Sequence, residues 1–289
     1  MLLQFIINGL ITGLLYSLLA IGFALVYNTT HIFHIAAAAI YVFAAYMFWW
    51  LATRFTLPLW AAAISAIGLS MFLSLGIEVL IYRPLRKKKA SSNIAMISSI
   101  GVMTLIVSIL AIAFGNEGKI IVDDKTYVFS LGSILITYPQ ICEFLASVFA
   151  ICALLFFINA RQYGLQIRAL GVNEELFESL GYNVKRVRNR VFLLSGSFIG
   201  LASCLNAYDV GLTLQSGMNI LIYAIVAFII GGIGKYWTCI IGGLILGVLQ
   251  SLTVFVFASN WMNVITFIVL ILILFVRPQG LFGYKQRAV

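Results

Sequence analysis

The sequence predicts an all-α, polytopic membrane protein. Of its 289 residues, 63% are hydrophobic and only 9% are charged, whereas soluble domains carry roughly 25% charged residues. The mean hydropathy of +1.08 means that the apolar surface exceeds what a soluble core of this length can bury. Continuous apolar runs of about twenty residues indicate spanning helices rather than a transmembrane barrel, whose segments alternate and are about ten residues long.

Nine apolar segments follow one another along the chain. They cover residues 5–27, 32–52, 57–82, 94–114, 138–159, 191–208, 217–233, 238–257 and 262–276. As a helix, the first would be about 34 Å long, which is enough to cross a bilayer. The short seventh segment is a candidate for a broken or re-entrant element. We expect a single transmembrane domain over residues 1–289 with roughly eight to ten such helices.

Basic residues are distributed unevenly between the loops. Fifteen of the 18 Lys and Arg residues lie in 83–89, in 161–190, at Lys235 and after residue 276. This clustering follows the positive-inside rule, so the net charge of +9 indicates membrane topology rather than binding to nucleic acid. With nine crossings, the amino terminus is expected outside and the carboxyl terminus in the cytoplasm. The outer loop 115–137 has a β-like patch at 127–131, which predicts either a small hairpin or an interfacial cap.

Residue patterns of a catalytic or metal site are missing from the sequence. The four cysteines form no CxxC pair, Gly234-Lys235 is followed by Tyr236 instead of Ser or Thr, and there is no HExxH. His31 and His34 are expected to be interfacial or pore-lining polar residues. We therefore predict no enzymatic activity, no cofactor and no metal, with any energy supplied by another subunit.

Acidic residues near the spans lie toward the predicted span ends, at Glu78, Glu143 and Asp209. Proton- or sodium-coupled carriers usually keep carboxylates near the midplane of the membrane. The transported solute is therefore expected to be neutral or zwitterionic. Polar groups within apolar segments need partners or water, so we expect three such residues to line its path: Tyr16, His34 and Gln250.

Glycine is densest in GGIG at 231–234 and GGLILG at 242–247. Glycine permits unusual backbone angles in a turn and close approach of helices. A close helical hairpin is therefore expected, packed through Gly231, Gly232, Gly234, Gly242, Gly243 and Gly247. Glycine pairs at GxxxG spacing, such as Gly9/Gly13 and Gly196/Gly200, are a weaker signal for helix contacts.

The most polar long stretch, 161–190, is expected on the cytoplasmic side. Gly164 is expected to close the preceding span. Asn173 is a good helix N-cap, and Glu174 and Glu175 in the first turn favour the helix dipole. The sequence therefore predicts a short helix on this face of the membrane.

That short helix is predicted to be amphipathic. Leu176, Phe177 and Leu180 form an apolar stripe, and Gly181 is expected to end the helix. The helix would dock into a groove of a soluble partner or lie on lipid headgroups, and the residues leave both alternatives open.

Motifs along the whole chain resemble those of LivH-type branched-chain amino acid permeases of ABC importers, with urea and amide permeases as close relatives. The matching pieces are Asn8-Gly9, Tyr16, Ala20-Ile21-Gly22, Val26-Tyr27, Tyr82-Arg83-Pro84-Leu85-Arg86, Gly164, Arg168-Ala169, Asn173, Gly181, GGIG, GGLILG and the terminal RPQGLFG at 277–283. The last two glycine-rich pieces and the terminal motif are the most specific in combination.

The resemblance implies a permease subunit whose loop 161–190 couples it to a cytoplasmic ATPase. The implied coupling residues are Gly164, Arg168, Ala169, Asn173, Leu176, Phe177, Leu180 and Gly181. It also implies a second permease subunit, two ATPase subunits that bind the ATP, an extracytoplasmic solute-binding protein and a location in the bacterial inner membrane. Branched-chain amino acids are the expected cargo.

The chain departs from the family pattern at several positions. An alanine-rich stretch at 35–39 follows His34, Gln250 replaces a common glutamate, and Phe177 replaces a small residue. The alanine-rich stretch motivates an alternative function, a diverged member that moves another substrate or a permease-like subunit that exports or flips a lipid or glycan precursor. A membrane enzyme or structural partner is a third hypothesis, against which the absence of a paired acid and base inside the spans counts.

Overall fold

The computed structural model describes residues 1–121, 127–131, 134–160, 162–232, 234–277 and 279–282. Several residues that the sequence analysis used lie outside the described part of the chain. They include Arg161 of the 161–190 loop, Ile233 of GGIG, and Pro278 and Gly283 of the terminal motif.

Twelve α-helices are present in the described residues. They are α1 Leu2–Thr30, α2 Ala37–Arg54, α3 Leu59–Ile77, α4 Arg83–Lys87, α5 Ser92–Phe114, α6 Tyr138–Ala160, α7 Gln162–Val172, α8 Glu174–Ser179, α9 Val184–Asp209, α10 Ser216–Gly231, α11 Tyr236–Val256 and α12 Met262–Val276. A π-helical turn, Glu78–Tyr82, joins α3 to α4 without a break, and a 3-10 turn, Ser259–Trp261, precedes α12.

The prediction of an all-α polytopic membrane protein is confirmed, since each of the nine apolar segments contains a helix. Seven helices in the described residues are long and apolar enough to cross a membrane. They are Leu2–Thr30, Leu59–Lys87, Ser92–Phe114, Tyr138–Ile158, Val184–Asp209, Tyr236–Val256 and Ser259–Val276. The other two are α2, with 18 residues, and the shorter α10, with 16.

The β-like patch forms a hairpin with the residues that follow it. Strand β1, Val128–Leu131, pairs antiparallel with β2, Ile134–Thr137. The Gln4 side chain fixes this hairpin to the start of α1, because its amide nitrogen donates to the Leu135 carbonyl (2.7 Å) and its amide oxygen accepts from the Leu135 backbone N–H (2.9 Å). Of the two alternatives for the loop 115–137, the structure therefore shows the hairpin.

The chain divides into two compact units. Unit 1 comprises residues 1–24, 123–151 and 222–289, and unit 2 comprises residues 25–122 and 152–221.

Glycines set the packing inside unit 1. Gly9 and Gly13 of α1 lie against Gly243 and Gly247 of α11, so that a Cβ on Gly247 would collide with the Gly9 carbonyl oxygen. In lipid, the hydrophobic effect does not drive helices to associate. Van der Waals contact between closely approaching backbones stabilises the helix pair instead. This crossing uses GxxxG pairs, which in the sequence alone were only weak signals of helix contact.

The α10–α11 hairpin depends on the second set of glycines. A Cβ on Gly242 would collide with the Ala227 carbonyl oxygen, and one on Gly231 with that of Thr238. Between the helices, Gly232 and Gly234 have φ of +107° and +110°. Residues other than glycine rarely adopt this backbone region. The GGIG and GGLILG glycines thus lie where the two helices turn and approach each other.

Serine hydroxyls help to pack unit 2. Ser70 and Ser74 of α3 face α9, where Ser70 donates to the Gly196 carbonyl (3.0 Å) and Ser74 to that of Phe192 (2.7 Å). Gly196 and Gly200 permit this approach, because a Cβ on either would strike the α3 serines. Hydrogen bonds between helices stabilise such contacts in lipid.

We predict that Gly247→Ala destabilises the protein by about 1–3 kcal/mol, because the added methyl group overpacks the contact with α1. The measurement is the thermal unfolding midpoint of the purified protein in detergent. Gly101→Ala is the matched control, since nothing lies within 4 Å of a Cβ on Gly101 in α5. Equal midpoints for the two variants would contradict the close crossing.

Candidate functional site

The 161–190 loop contains a helix, α7, that the sequence did not predict. Helix α7 buries Gly164, Ile167 and Leu170, which recur every three residues on one face. The prediction that Gly164 closes the preceding span is wrong. Gly164 lies inside α7, close to the carbonyl of Ile158 in α6, and no Cβ fits between them. A glycine is needed here because the chain folds back on itself.

The far end of α7 packs against the end of α1 within unit 2. A Cβ on Gly171 would collide with the Asn28 carbonyl oxygen. The His31 Nε2 atom lies 3.2 Å from the Gly171 carbonyl oxygen. Both ends of α7 are thus fixed by close backbone contacts.

Helix α8 has the boundaries that its sequence predicted. The Asn173 side chain accepts a hydrogen bond from the Leu176 N–H at 3.0 Å, which caps the amino-terminal end. Gly181 follows the helix with φ of +82°, and its N–H bonds to the Glu178 carbonyl. Both signals act over a few residues, so they are readable from sequence alone.

The apolar stripe of α8 is divided between two directions. Phe177 is 3% exposed and stacks on Tyr182 with ring centroids 5.0 Å apart. Leu176 and Leu180 are 58% and 66% exposed. Of the remaining predicted coupling residues, Arg168, Ala169, Asn173 and Gly181 are exposed. The outward part of the stripe is therefore Leu176 and Leu180, with Phe177 anchoring the helix.

An open basic cavity lies beside the α8–α9 turn, with a volume of about 270 Å³. Its lining residues are Tyr163, Gln166, Gly181, Tyr182, Asn183, Arg186, Val187 and Arg190. The Arg190 guanidinium lies 4.5 Å from the Tyr163 ring centroid, a cation–π geometry. The cavity can accept a negatively charged group.

Unit 2 contains an ion pair between α8 and α9 and another between the π-helical turn and α4, and sequence reasoning found neither. Arg188 of α9 is buried and donates to Glu174 in the first turn of α8. Buried Glu78, which the sequence placed near a span end, accepts from Arg86. A lone acid in an apolar run, followed by Arg86 two helical turns later, was the available signal for the second pair.

His34 belongs to a buried hydrogen-bond network in unit 2. Its Nδ1 atom lies 2.8 Å from the Tyr82 hydroxyl, which donates to Ser99 Oγ at 2.9 Å. Ser99 Oγ also accepts from the Ala36 backbone N–H. In the described part of the chain, His34 Nε2 has no hydrogen-bond partner. The network holds the chain where α2 begins.

Tyr16 and Gln250, two of the three predicted path residues, are brought together in unit 1. The Tyr16 hydroxyl donates to Gln250 Oε1 at 2.8 Å, and Gln250 Nε2 donates to Thr266 Oγ1 at 2.7 Å. The Tyr223 ring lies 5.2 Å from that of Tyr16, and its hydroxyl donates to Asn263. Thr266, Tyr223 and Asn263 were not predicted, because only the fold brings them to Tyr16.

The surroundings of Tyr16 include one acidic side chain. Buried Glu143 of α6 lies within electrostatic range of the Tyr16 hydroxyl. Among the residues that the structure describes, no group of three or more His, Cys, Asp or Glu side chains is placed to hold a metal ion.

Comparison with known proteins gives a full-length match. The sequence model of the family described as branched-chain amino acid transport system / permease component matches residues 5–274. The high-affinity branched-chain amino acid transport system permease protein BraD of Pseudomonas aeruginosa is 28% identical, over 98% of this chain and 96% of its own length. LivH of Escherichia coli has the same identity and coverage.

More distant proteins are similar along the same length. The probable branched-chain amino acid transport permease protein LivH of Methanocaldococcus jannaschii is 26% identical, over 97% of this chain and 92% of its own. The solved structure of PsaBC from Streptococcus pneumoniae in complex with Fab has a TM-score of 0.53 at 16% identity, covering 95% of this chain and 92% of that one. At that identity the likeness is one of fold alone.

The exposure of α8 predicts a difference in labelling between two leucine positions of the loop. In a variant with Cys142 and Cys152 replaced by serine, Leu176→Cys should react with a membrane-impermeant maleimide at least about tenfold faster than Leu170→Cys. The reason is that thiol reactivity requires access, and Leu170 is buried. Mass spectrometry of the labelled protein measures both rates. Equal rates would contradict the described orientation of the loop.

Proposed function

The chain belongs to the family of permease components of branched-chain amino acid transport systems, and from this membership we propose that it is a membrane subunit of an ABC importer. Its cargo is a small zwitterionic solute, a branched-chain amino acid. The energy comes from ATP bound by separate ATPase subunits, and the loop 161–190 transmits it. The chain itself acts as a transport subunit without an ATPase site of its own.

One observation carries this proposal: α8 is held in place at its base, while Leu176 and Leu180 of its apolar stripe face outward. The Asn173 cap, the Glu174–Arg188 ion pair and the buried Phe177 ring hold the helix. Leu176 and Leu180 remain exposed on a loop otherwise rich in charge. An amphipathic helix with free apolar anchors suits docking into a groove of a soluble partner.

The basic cavity beside α8 offers a docking partner a site for an acidic group. Arg186 and Arg190 line it together with Tyr182 at the end of the α8 turn. Arginine pairs bidentately with carboxylates, so an acidic side chain of the ATPase fits here. Docking then combines apolar contact at Leu176 and Leu180 with one charged contact.

The complete transporter contains a second permease subunit, two ATPase subunits and an extracytoplasmic solute-binding protein. It resides in the bacterial cytoplasmic membrane. The basic loops face the cytoplasm, which places the amino terminus outside and the carboxyl terminus inside. Labelling of Leu176→Cys by the impermeant maleimide in inside-out, but not right-side-out, vesicles is expected from this orientation.

The hydrogen-bonded row Tyr16–Gln250–Thr266 of unit 1 supports a zwitterionic cargo. Tyr16, Gln250 and Thr266 offer hydroxyl and amide groups that both donate and accept. Such groups bind an ammonium and a carboxylate without a fixed counter-charge. We place Tyr16 and Gln250 on the path of the solute, with His34 on the path in unit 2.

The alternative of a lipid or glycan exporter was motivated by the alanine-rich stretch 35–39. In the fold Ala36, Ala37, Ala38 and Ala39 are at most 4% exposed, so their small side chains have a packing role at the start of α2. The full-length relatives carry names of amino acid permeases, so the importer is the function we propose.

Changes in the docking loop should uncouple the transporter. With the complete complex in proteoliposomes, Arg168→Glu or Gly181→Pro should lower ATP-driven leucine uptake at least about tenfold, because each disturbs the loop that binds the ATPase. Membrane insertion should be unchanged. Copurification of the ATPase subunits and the uptake rate are the measurements.

The control for Arg168→Glu is Arg54→Glu, an exposed arginine on the side proposed to face outward. It should retain both copurification and uptake. Wild-type uptake in both loop variants would remove the loop from the mechanism.

Loss of the Tyr16–Gln250 bond should weaken solute binding. Tyr16→Phe and Gln250→Leu are each expected to raise the KM for leucine about two- to tenfold, the usual effect of one lost hydrogen bond. Thr12→Val is the control, since among the described residues the Thr12 hydroxyl bonds only to its own helix, at the Asn8 and Gly9 carbonyls. An unchanged KM in all three variants would show that Tyr16 and Gln250 do not contact the solute.

A further inference from the structure

A chain of charged side chains runs from the docking helix into the interior of unit 2. Glu174 on α8 pairs with Arg188 on α9, whose side chain is only 9% exposed. The part of α9 that carries Arg188 packs along the helix that carries the second ion pair, Glu78–Arg86, since Ser74 donates to the Phe192 carbonyl (2.7 Å) and Arg83 donates to Asn189 (2.7 Å). Glu78 is 1% exposed. Buried charges such as these are costly unless they are paired, so their positions depend on one another.

The pairing of this chain is incomplete. Among the described residues, Glu78 Oε2, Arg86 Nη1 and Arg188 Nε are buried without a hydrogen-bond partner. Arg188 therefore has a free donor on the side chain that already serves Glu174, and Glu78 has a free acceptor. These unpartnered atoms leave the cluster open to a second pairing, and a transmitting element needs two arrangements.

The buried end of the chain lies on the π-helical turn. Glu78 begins this turn and Tyr82 ends it. Tyr82 contacts His34 and Ser99 through its hydroxyl, and these residues hold the start of α2. Single π-helical turns within α-helices occur frequently at functional sites, where the irregular hydrogen bonding permits local movement. A shift of Glu78 therefore has a route to the chain between α1 and α2.

We propose that Arg188 is a positioning residue that transmits movement of α8 to the π-helical turn by exchanging its partner between Glu174 and Glu78. This inference rests on the proposed function, because it takes α8 to be the helix that the ATPase moves. When the ATPase pulls α8, Glu174 leaves Arg188, and Arg188 pairs more closely with Glu78. The π-helical turn and Tyr82 then respond.

Glu174→Gln and Glu175→Gln form a matched pair for the test. Both residues lie in the first turn of α8, and both changes remove one negative charge from the same helix end. In the described part of the chain only Glu174 has an ion pair there, with Arg188. In proteoliposomes that hold the complete transporter, the readout is the number of ATP molecules hydrolysed per leucine taken up.

We expect this ratio to rise about fivefold or more in Glu174→Gln and to stay at the wild-type value in Glu175→Gln. Arg188→Lys should retain most of the coupling because it keeps the charge, whereas Arg188→Gln should lose it. The double variant Glu174→Gln/Arg188→Gln should be no worse than Arg188→Gln alone, since the two residues act through one contact. A purely structural pair would change the unfolding temperature without changing the ratio.

Equal ratios in Glu174→Gln and Glu175→Gln, or additive effects in the double variant, would overturn the transmission role. If the Arg188→Gln variant fails to insert into the membrane, the comparison of Glu174→Gln with Glu175→Gln still tests the transmission role, because Glu174 is half-exposed. A wild-type complex that takes up no leucine with ATP would instead overturn the proposed function. The two failures are therefore distinguishable in one set of proteoliposomes.

Discussion

Close backbone approach is the interaction on which the rest of this structure depends. Apolar side chains facing lipid gain nothing by turning toward one another, so helices associate where small residues bring their backbones together. In unit 1, the α1–α11 crossing is glycine against glycine. In unit 2, serine hydroxyls of α3 bond to carbonyls of α9 across the same kind of contact. These contacts leave the larger polar groups free for other tasks.

Polar side chains that packing does not require are concentrated in few places. One is the row Tyr16–Gln250–Thr266 in unit 1, and the other is the charged and hydrogen-bonded cluster of unit 2 that includes Arg188, Glu78 and His34. Such groups are expensive inside a membrane protein and usually mark function. The first row is uncharged and suits contact with a solute. The second connects a surface helix with the interior.

What could be read from the sequence was local. Apolar run length located the spans, because a bilayer fixes how many residues a helix needs to cross it. The Asn173 cap and the turn at Gly181 were also readable, since each acts within four residues. The hydrogen-bond network of Tyr82, Ser99 and His34 was not readable from the sequence. Its members are far apart along the chain, and only the fold joins them. Gly164 was misplaced for the same reason, as its constraint is a carbonyl of the preceding helix.

The π-helical turn Glu78–Tyr82 has a consequence for every residue that follows it in the same helix. One extra residue per turn rotates the later positions by about 100° relative to an uninterrupted α-helix. Arg83 and Arg86 therefore point elsewhere than an α-helical wheel of this segment would place them, and Arg83 reaches Asn189 on α9. Removing a single amino acid from this stretch would restore regular geometry while swinging the basic end of the helix away from its neighbours. The number of residues in this short stretch is thus a property that the chain has to preserve alongside the side chains of Glu78 and Tyr82.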